Sequence, residues 1–287
     1  MSDCIVAHDW FRDRQLIIAT NHGKEQVISP ILASRLGVRC SVAESLNTDQ
    51  FGTFSGEIER LTDPLTAARH KCEAVMDSEN IDLAIASEGS FGNHPTLFFA
   101  PANEELLLLT DHKNNVEFSV RELFTATNFS SEWVTNEEEL LLFAEKALFP
   151  SHGLILRTSE TSADHLVKGI VSPEELLHHF KLLKSHHSNI LVQTDMRAHL
   201  NPTRMNNIRL VTEKLVERLK TTCLECGAPG FGVIRSVPGL PCEWCNFPTP
   251  STLYHAYGCV VCAHSEKHYF PFNKQVESAT YCNYCNP

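Results

Sequence analysis

Residues 81–95 read IDLAIASEGSFGNHP, and the fold class turns on this stretch. Up to Ser87 it is a short, mostly apolar run with the length of a buried strand. Glu88 then opens a run of glycine, serine, asparagine and histidine. A buried strand that empties into a polar, glycine-rich segment is the pattern of open α/β sheets, whose ligands sit beyond the carboxyl ends of the strands. Similar apolar runs lie at 15–20, 38–43, 105–110, 153–158 and 189–194. Helix starts fall between them. Ser29-Pro30, Asp63-Pro64, Ser172-Pro173 and Asn201-Pro202 each join a capping side chain to a proline. The cap accepts an orphan amide proton, and proline at the first helical position loses nothing by lacking one. Thr135 or Asn136, ahead of three consecutive glutamates, marks a further start, with carboxylates facing the positive helix end. Lys113-Asn114-Asn115-Val116 reads as a hairpin turn. The alternation predicts an α/β domain of three layers around a mixed sheet.

Composition changes near residue 219. All five tyrosines and eight of the eleven cysteines follow it, and from Lys220 onward there are four basic and four acidic residues. The formal charge of −11 therefore belongs to an α/β domain over 1–218, and 219–287 form a second, formally neutral domain. Its cysteines come as four pairs: Cys223 and Cys226, Cys242 and Cys245, Cys259 and Cys262, Cys282 and Cys285. Two thiolates separated by two residues converge on one ion from a tight turn, and two such turns complete a tetrahedral shell. The intervals between pairs are 15, 13 and 19 residues, which favours sequential sites, the first two pairs in one and the last two in the other. A crossed arrangement, first with third and second with fourth, is the alternative. The expectation is a small double zinc-ribbon-like domain with two structural zinc ions, because a closed four-cysteine shell leaves no position for a reacting water. Cys4, Cys40 and Cys72 read as small buried hydrophobes.

Three polar clusters in the first domain carry chemistry. The run at 15–20 leads into Asn21, His22, Gly23, Lys24 and Glu25, where backbone amides and an ammonium can meet a phosphate. The run at 81–87 leads to Glu88, a carboxylate suited to Mg²⁺ shared with substrate phosphates. The run at 189–194 leads into Asp195, Arg197, His199 and Arg204. There Asp195 can bind a metal or act as a base, the arginines can clamp an anion, and His199 can carry a proton. Asn201 reads as a helix cap. Asp49, Thr53, Glu57, Glu59 and Lys168 are supporting candidates. Arg69 and Lys71, two apart on a helix over 64–76, are about 200° apart and cannot face one site together. His178, His179, His186 and His187 read as a solvated face.

Several classes are set aside. Across the 287 residues, 43% are hydrophobic and 21% charged, the balance of an ordinary globular protein. No apolar run reaches the roughly 18–20 residues of a membrane span, and the opening MSDCIVAHDWFRDR lacks the apolar core of a signal peptide. The expected compartment is the cytoplasm. The acidic balance argues against electrostatic capture of nucleic acid or membrane. For the neutral second domain, contact with a protein, or packing on the first domain, is favoured over RNA or DNA.

Across nearly its whole length the chain resembles a bacterial family labelled a domain of unknown function. The resemblance is carried by ATNHGKE at 19–25, GTFSGEIER at 52–60, ASEGSFGNHP at 86–95, TDMRAHLNPTR at 194–204 and the terminal CNYCNP. It implies a shared fold and site and supplies no activity. Residues 15–92 are also similar to the pyrophosphatases of inosine and xanthosine triphosphates. Asn21, Gly23 and Lys24 match that family's N-x-G-K, Ala67-Ala68-Arg69-His70-Lys71 partly matches its alanine/lysine helix, and Ser87-Glu88-Gly89 stands at its acidic strand end. This resemblance implies phosphate contacts from Lys24 and Mg²⁺ at Glu88. Ser29-Pro30, the Asp195 cluster and the cysteine tail depart from it.

The sequence thus points to a hydrolase of phosphoanhydrides in nucleotides or related phosphorylated small molecules. Mg²⁺ or Mn²⁺ would be held by Glu88, with Asp195 or Asp49. Asn21, Gly23, Lys24, Arg197 and Arg204 would bind phosphate, and His199 would move protons. The alternative is a non-catalytic adaptor, with a zinc module docking a protein and an α/β part sensing a ligand.

Overall fold

The computed structural model describes residues 10–20, 22–43, 62–160, 162 and 165–287. They fall into two compact units, one running Asp13–Leu215 and the other combining Val216–Pro287 with the residues around Trp10 and Phe11. The larger unit is α/β. Its first strand, β1 (Gln15–Ala19), buries Leu16, Ile17 and Ile18 in succession, as a strand covered on both faces must. It lies parallel to β2 (Arg39–Val42) and to β3 (Leu83–Asn93). β3, β4 (Pro101–Asp111) and β5 (Val116–Phe124) then run antiparallel, giving a mixed sheet in the order β2-β1-β3-β4-β5. The turn before Val116 is the expected hairpin, with Asn115 at φ 52° and Asn114 held on Asp111.

Helices cover both faces. α1 (Glu25–Leu36) follows β1 and buries Ile28, Leu32 and Leu36, one stripe at every fourth residue. It begins earlier than Ser29-Pro30 suggests, and Pro30 lies inside it. An interior proline costs about 3 kcal/mol. Three buried aliphatics return roughly 1.5–3 kcal/mol each, and their stripe starts before the proline. α2 (Pro64–Glu79) does start as expected, with Asp63 accepting from the amides of Leu65 and Thr66. Its Ala68, Cys72, Val75 and Met76 pack on Ala84, Ala86, Leu106 and Leu108 of the sheet.

A second, fully antiparallel sheet in the same unit has the order β6-β9-β7-β8, from β6 (Ser131–Val134), β7 (Leu154–Arg157), β8 (Val167–Ile170) and β9 (Ile190–Thr194). α3 (Glu137–Lys146), capped by Asn136, and α4 (Pro173–Lys184), capped by Ser172, share its core of Leu140, Phe143, Leu176 and Phe180. β9 runs through a 3₁₀ turn into α5 (Pro202–Lys220), the helix whose Arg204 reaches the mixed sheet on the face opposite α2. Asn201 caps it, accepting from the Arg204 amide at 3.0 Å. No helix among the described residues is long and apolar enough to cross a membrane.

The smaller unit holds one antiparallel sheet of β10 (Gly232–Pro238), β11 (Thr252–Gly258) and β12 (Ser265–Tyr269). Its four cysteine turns sit before, between and after these strands.

Candidate functional site

Strand direction decides how the cysteine pairs combine. β10 and β11 are antiparallel, with Gly232 opposite Gly258. The turn before β10, with Cys223 and Cys226, therefore lies beside the turn after β11, with Cys259 and Cys262. The second turn, with Cys242 and Cys245, is left at the other end. There Cys242 bridges to Glu277, which brings in the last pair. The two groups are Cys223, Cys226, Cys259 and Cys262, and Cys242, Cys245, Cys282 and Cys285. The crossed arrangement holds, and the sequential one favoured by the intervals is overturned. An interval counts residues, while pairing depends on which strand ends meet.

Each group could hold one metal ion. With bonds of 2.3 Å from zinc to sulfur, a tetrahedral shell has edges of about 3.8 Å. The Sγ atoms of Cys223 and Cys262 are 3.7 Å apart, and those of Cys226 and Cys259 3.6 Å. In the other group the distances are 3.9 Å for Cys242 and Cys285 and 3.6 Å for Cys245 and Cys282. Backbone amides of Trp244, Val261 and Cys285 donate to Cys242, Cys259 and Cys282, as suits thiolates. The amide of Cys285, first among the causes, draws the Cys282 thiol down to about 7.

The second cluster lies within Asp13–Leu215. Lys24 ends the turn after β1 and is buried, its Nζ donating to the Ser87 carbonyl at 2.7 Å. Burial, reinforced by Arg204 and Lys71 and opposed by Glu88 and Glu105, pulls its ammonium down to about 7. Glu88 is 3% exposed and pairs with Lys71 at 2.5 Å on the α2 face of the sheet. It lies inside β3 and not at its end, because the strand continues to Asn93 against β4. On the opposite face Glu105, fully buried, takes Arg204 Nε at 2.8 Å and Asn103 Nδ2 at 3.0 Å on one oxygen. Glu105 Oε2 has no hydrogen-bond partner among the described residues. Gly89, which the register places opposite Glu105, has to be glycine: a Cβ there would meet the Arg204 guanidinium and come within 2.7 Å of Glu105 Oε1.

A third set joins these. Asp195, 1% exposed, accepts from Arg197 Nη2 at 2.6 Å and from the Gly169 amide at 3.2 Å. Arg204 Nη1 donates to the Met196 carbonyl at 2.5 Å, tying this segment to the sheet. The rings of His22 and His199 stack at 5.4 Å, and a Cβ on Gly23 would lie 3.4 Å from that of His199. Burial, with Arg197 adding to it and Asp195 opposing, lowers the His199 imidazole, so it is neutral at pH 7.

The three segments expected to carry chemistry are thus neighbours. Gly23, Lys24, Glu88, Asp195, Arg197, His199 and Arg204 are linked through the contacts just described, although Asp195 is paired with Arg197 and no contact joins it to Glu88. Arg204 is no open phosphate clamp. It is fully buried and committed to Glu105. Asn21, Asp49, Thr53, Glu57, Glu59 and Cys4 lie outside the described residues. Cys72 is buried as expected and Cys40 is half-buried. Arg69 turns away to Glu117, as the helical angle requires. Lys71, singled out in the sequence only as unable to share a site with Arg69, is the ion-pair partner of Glu88. Glu105 was missed. Its one signal was a charge set inside the apolar run EELLLLT.

The family described as a domain of unknown function, DUF6671, matches residues 71–287. The chain belongs to this family. The DUF6671 match takes in Lys71, Glu88, Glu105, the Asp195 segment and all eight paired cysteines, while Lys24 and Gly23 precede it. No curated protein matches the chain.

Proposed function

We propose that the Asp13–Leu215 unit hydrolyses a phosphoanhydride in a nucleotide or related phosphorylated small molecule, and that the cysteine groups hold two structural zinc ions. One observation carries the reading. Among the described residues, three cations, Lys24, Lys71 and Arg204, are buried around two carboxylates, Glu88 and Glu105. A buried excess of positive charge is costly; burial first, and the charges of Arg204 and Lys71 after it, lower the Lys24 pKa. An anionic ligand relieves that cost. It would enter beside Gly23, Arg197 and His199, which are more open than the floor.

Glu88 offers a hard oxygen donor, and Mg²⁺ is commonly held by one or two carboxylates together with substrate phosphates. No second carboxylate joins it among the described residues, so the fit is to a cation shared with substrate. Mg²⁺ or Mn²⁺ so bound would polarise the phosphates. Lys24 and Arg197 neutralise charge on the phosphate oxygens, and neutral His199 takes a proton from the attacking water. The test is a panel of normal and deaminated nucleoside triphosphates with Mg²⁺ or Mn²⁺, assayed for pyrophosphate and phosphate. Glu88→Gln is expected to lose turnover by at least a hundredfold with zinc content unchanged. Turnover retained in that variant removes Glu88 from the mechanism, and a blank panel removes the nucleotide.

A further inference from the structure

Counted along the chain, the cysteine-rich unit is neutral, and neutrality argues against nucleic acid. Strand alternation sorts those charges by face. The register sets Arg235 opposite Ala256 and Ala256 opposite Lys267. Residues paired across strands project from the same side of a sheet, so both cations share one face with a small residue between them. The next row on that face is Val237, Tyr254 and Tyr269. The two tyrosine rings are 5.1 Å apart, and Lys267 Nζ stands 5.2 Å from the centre of the Tyr254 ring. Arg235 and Lys267 are exposed, and Tyr269 is 53% exposed.

The unit's acids lie off these two rows: Glu217 pairs with Lys220 and Glu225 sits in the turn between Cys223 and Cys226. Glu266 projects from the other face, where His264 and His268 donate to it. Glu277 is taken by Lys274, Ser251 and the Ser278 amide, and Glu243 by the Ala279 amide. The open face therefore carries cations and aromatic rings and no carboxylate in either row.

We propose that this face binds single-stranded nucleic acid, with bases stacking on Tyr254 and Tyr269 and phosphates meeting Arg235 and Lys267. Exposed aromatics on a sheet stack unpaired bases whatever their identity, and a duplex hides those base faces. Two phosphate contacts make the binding weak, in the range of about 10⁻⁴–10⁻⁶ M for sequence-independent association.

The experiment uses the full zinc-loaded chain and fluorescein-labelled ten-nucleotide oligo(U) and oligo(dT), followed by anisotropy at 50 and 200 mM salt. With two contacts and a slope near −0.7 per phosphate, affinity is expected to fall about sevenfold between those salts. Arg235→Ala with Lys267→Ala should flatten that dependence. Tyr254→Ala should weaken binding roughly 5- to 150-fold, while Tyr254→Phe keeps it, since stacking needs the ring and not the hydroxyl. Zinc at two per chain confirms that each variant is folded. The proposal fails if no binding is seen at 100 µM protein, if duplex binds as well as single strand, or if the face variants bind like wild type. It also fails if Arg197→Ala in the other unit abolishes binding, because the oligomer would then occupy the phosphate site.

Discussion

Lys24 shows how a single side chain can report the state of a whole cluster. Its partners are the Ser87 carbonyl and, at a distance, two carboxylates and two further cations. The ammonium sits near 7 in the folded chain, against an ordinary 10.5. Between those values the unfolded chain binds the extra proton, so stability rises with pH across that window, and the penalty is complete below 7. Lys24→Met removes the dependence. Measured by urea unfolding at pH 6, 8 and 9.5, the variant should gain most on wild type at pH 6 and least at pH 9.5. An offset that does not vary with pH would mean that Lys24 keeps its charge when buried. The sequence singled out Lys24, Glu88, Asp195 and His199 because each follows or lies on a strand, but it left open whether they meet, since Lys24 and Glu88 belong to the mixed sheet and Asp195 and His199 follow a strand of the second sheet. It could not place Glu105 or the role of Lys71. A charged residue inside an apolar strand or on a helix face looks the same whether it points to solvent or to a partner 17 or 99 positions away.

Elements were legible where local chemistry decides them. Asp63, Ser172 and Asn201 cap the helices expected of them, and of the two candidates Thr135 and Asn136 it is Asn136 that caps. Reading failed where a partner strand decides. Residues 88–93 looked like a loop because they are polar and glycine-rich, yet β4 pairs with them throughout. The cysteine groups misled for the same reason. The crossed arrangement makes a prediction that the sequential one reverses. Cys223→Ser with Cys262→Ser breaks one group only, so the variant should retain one zinc per chain. Cys223→Ser with Cys245→Ser breaks both and should retain none. Native mass spectrometry counts the ions, and the opposite pair of results would restore sequential sites.

At the scale of the whole molecule, the two units are held by different forces. The Asp13–Leu215 unit buries aliphatic clusters such as Leu140, Phe143, Leu154 and Phe180, and Ile17, Val75 and Leu108. In the smaller unit the cores are largely the cysteines themselves. One is Cys223, Ala228, Phe231 and Cys259 with Trp10 and Tyr257, and the other is Cys242, Ala279 and Cys282 with Cys245 and Cys285. The composition change near residue 219 lies close to Val216, where the smaller unit resumes, although that unit also takes in Trp10 and Phe11; in a segment poor in aliphatics a bound metal can stand in for a core. Where the cysteine groups hold zinc as proposed, metal binding free energy is folding free energy for that unit. Stripping zinc with a strong chelator under reducing conditions should therefore abolish the tyrosine near-ultraviolet signal, since all five tyrosines lie there. The larger unit should keep its helical far-ultraviolet signal and a cooperative urea transition. The proposed chemistries separate in the same experiment. Every group invoked for hydrolysis lies within Asp13–Leu215, so turnover should survive stripping, whereas oligonucleotide binding should be lost. Loss of both together would show that the hydrolytic site depends on the metal-bound unit, and loss of neither would mean that the cysteine cores hold without an ion.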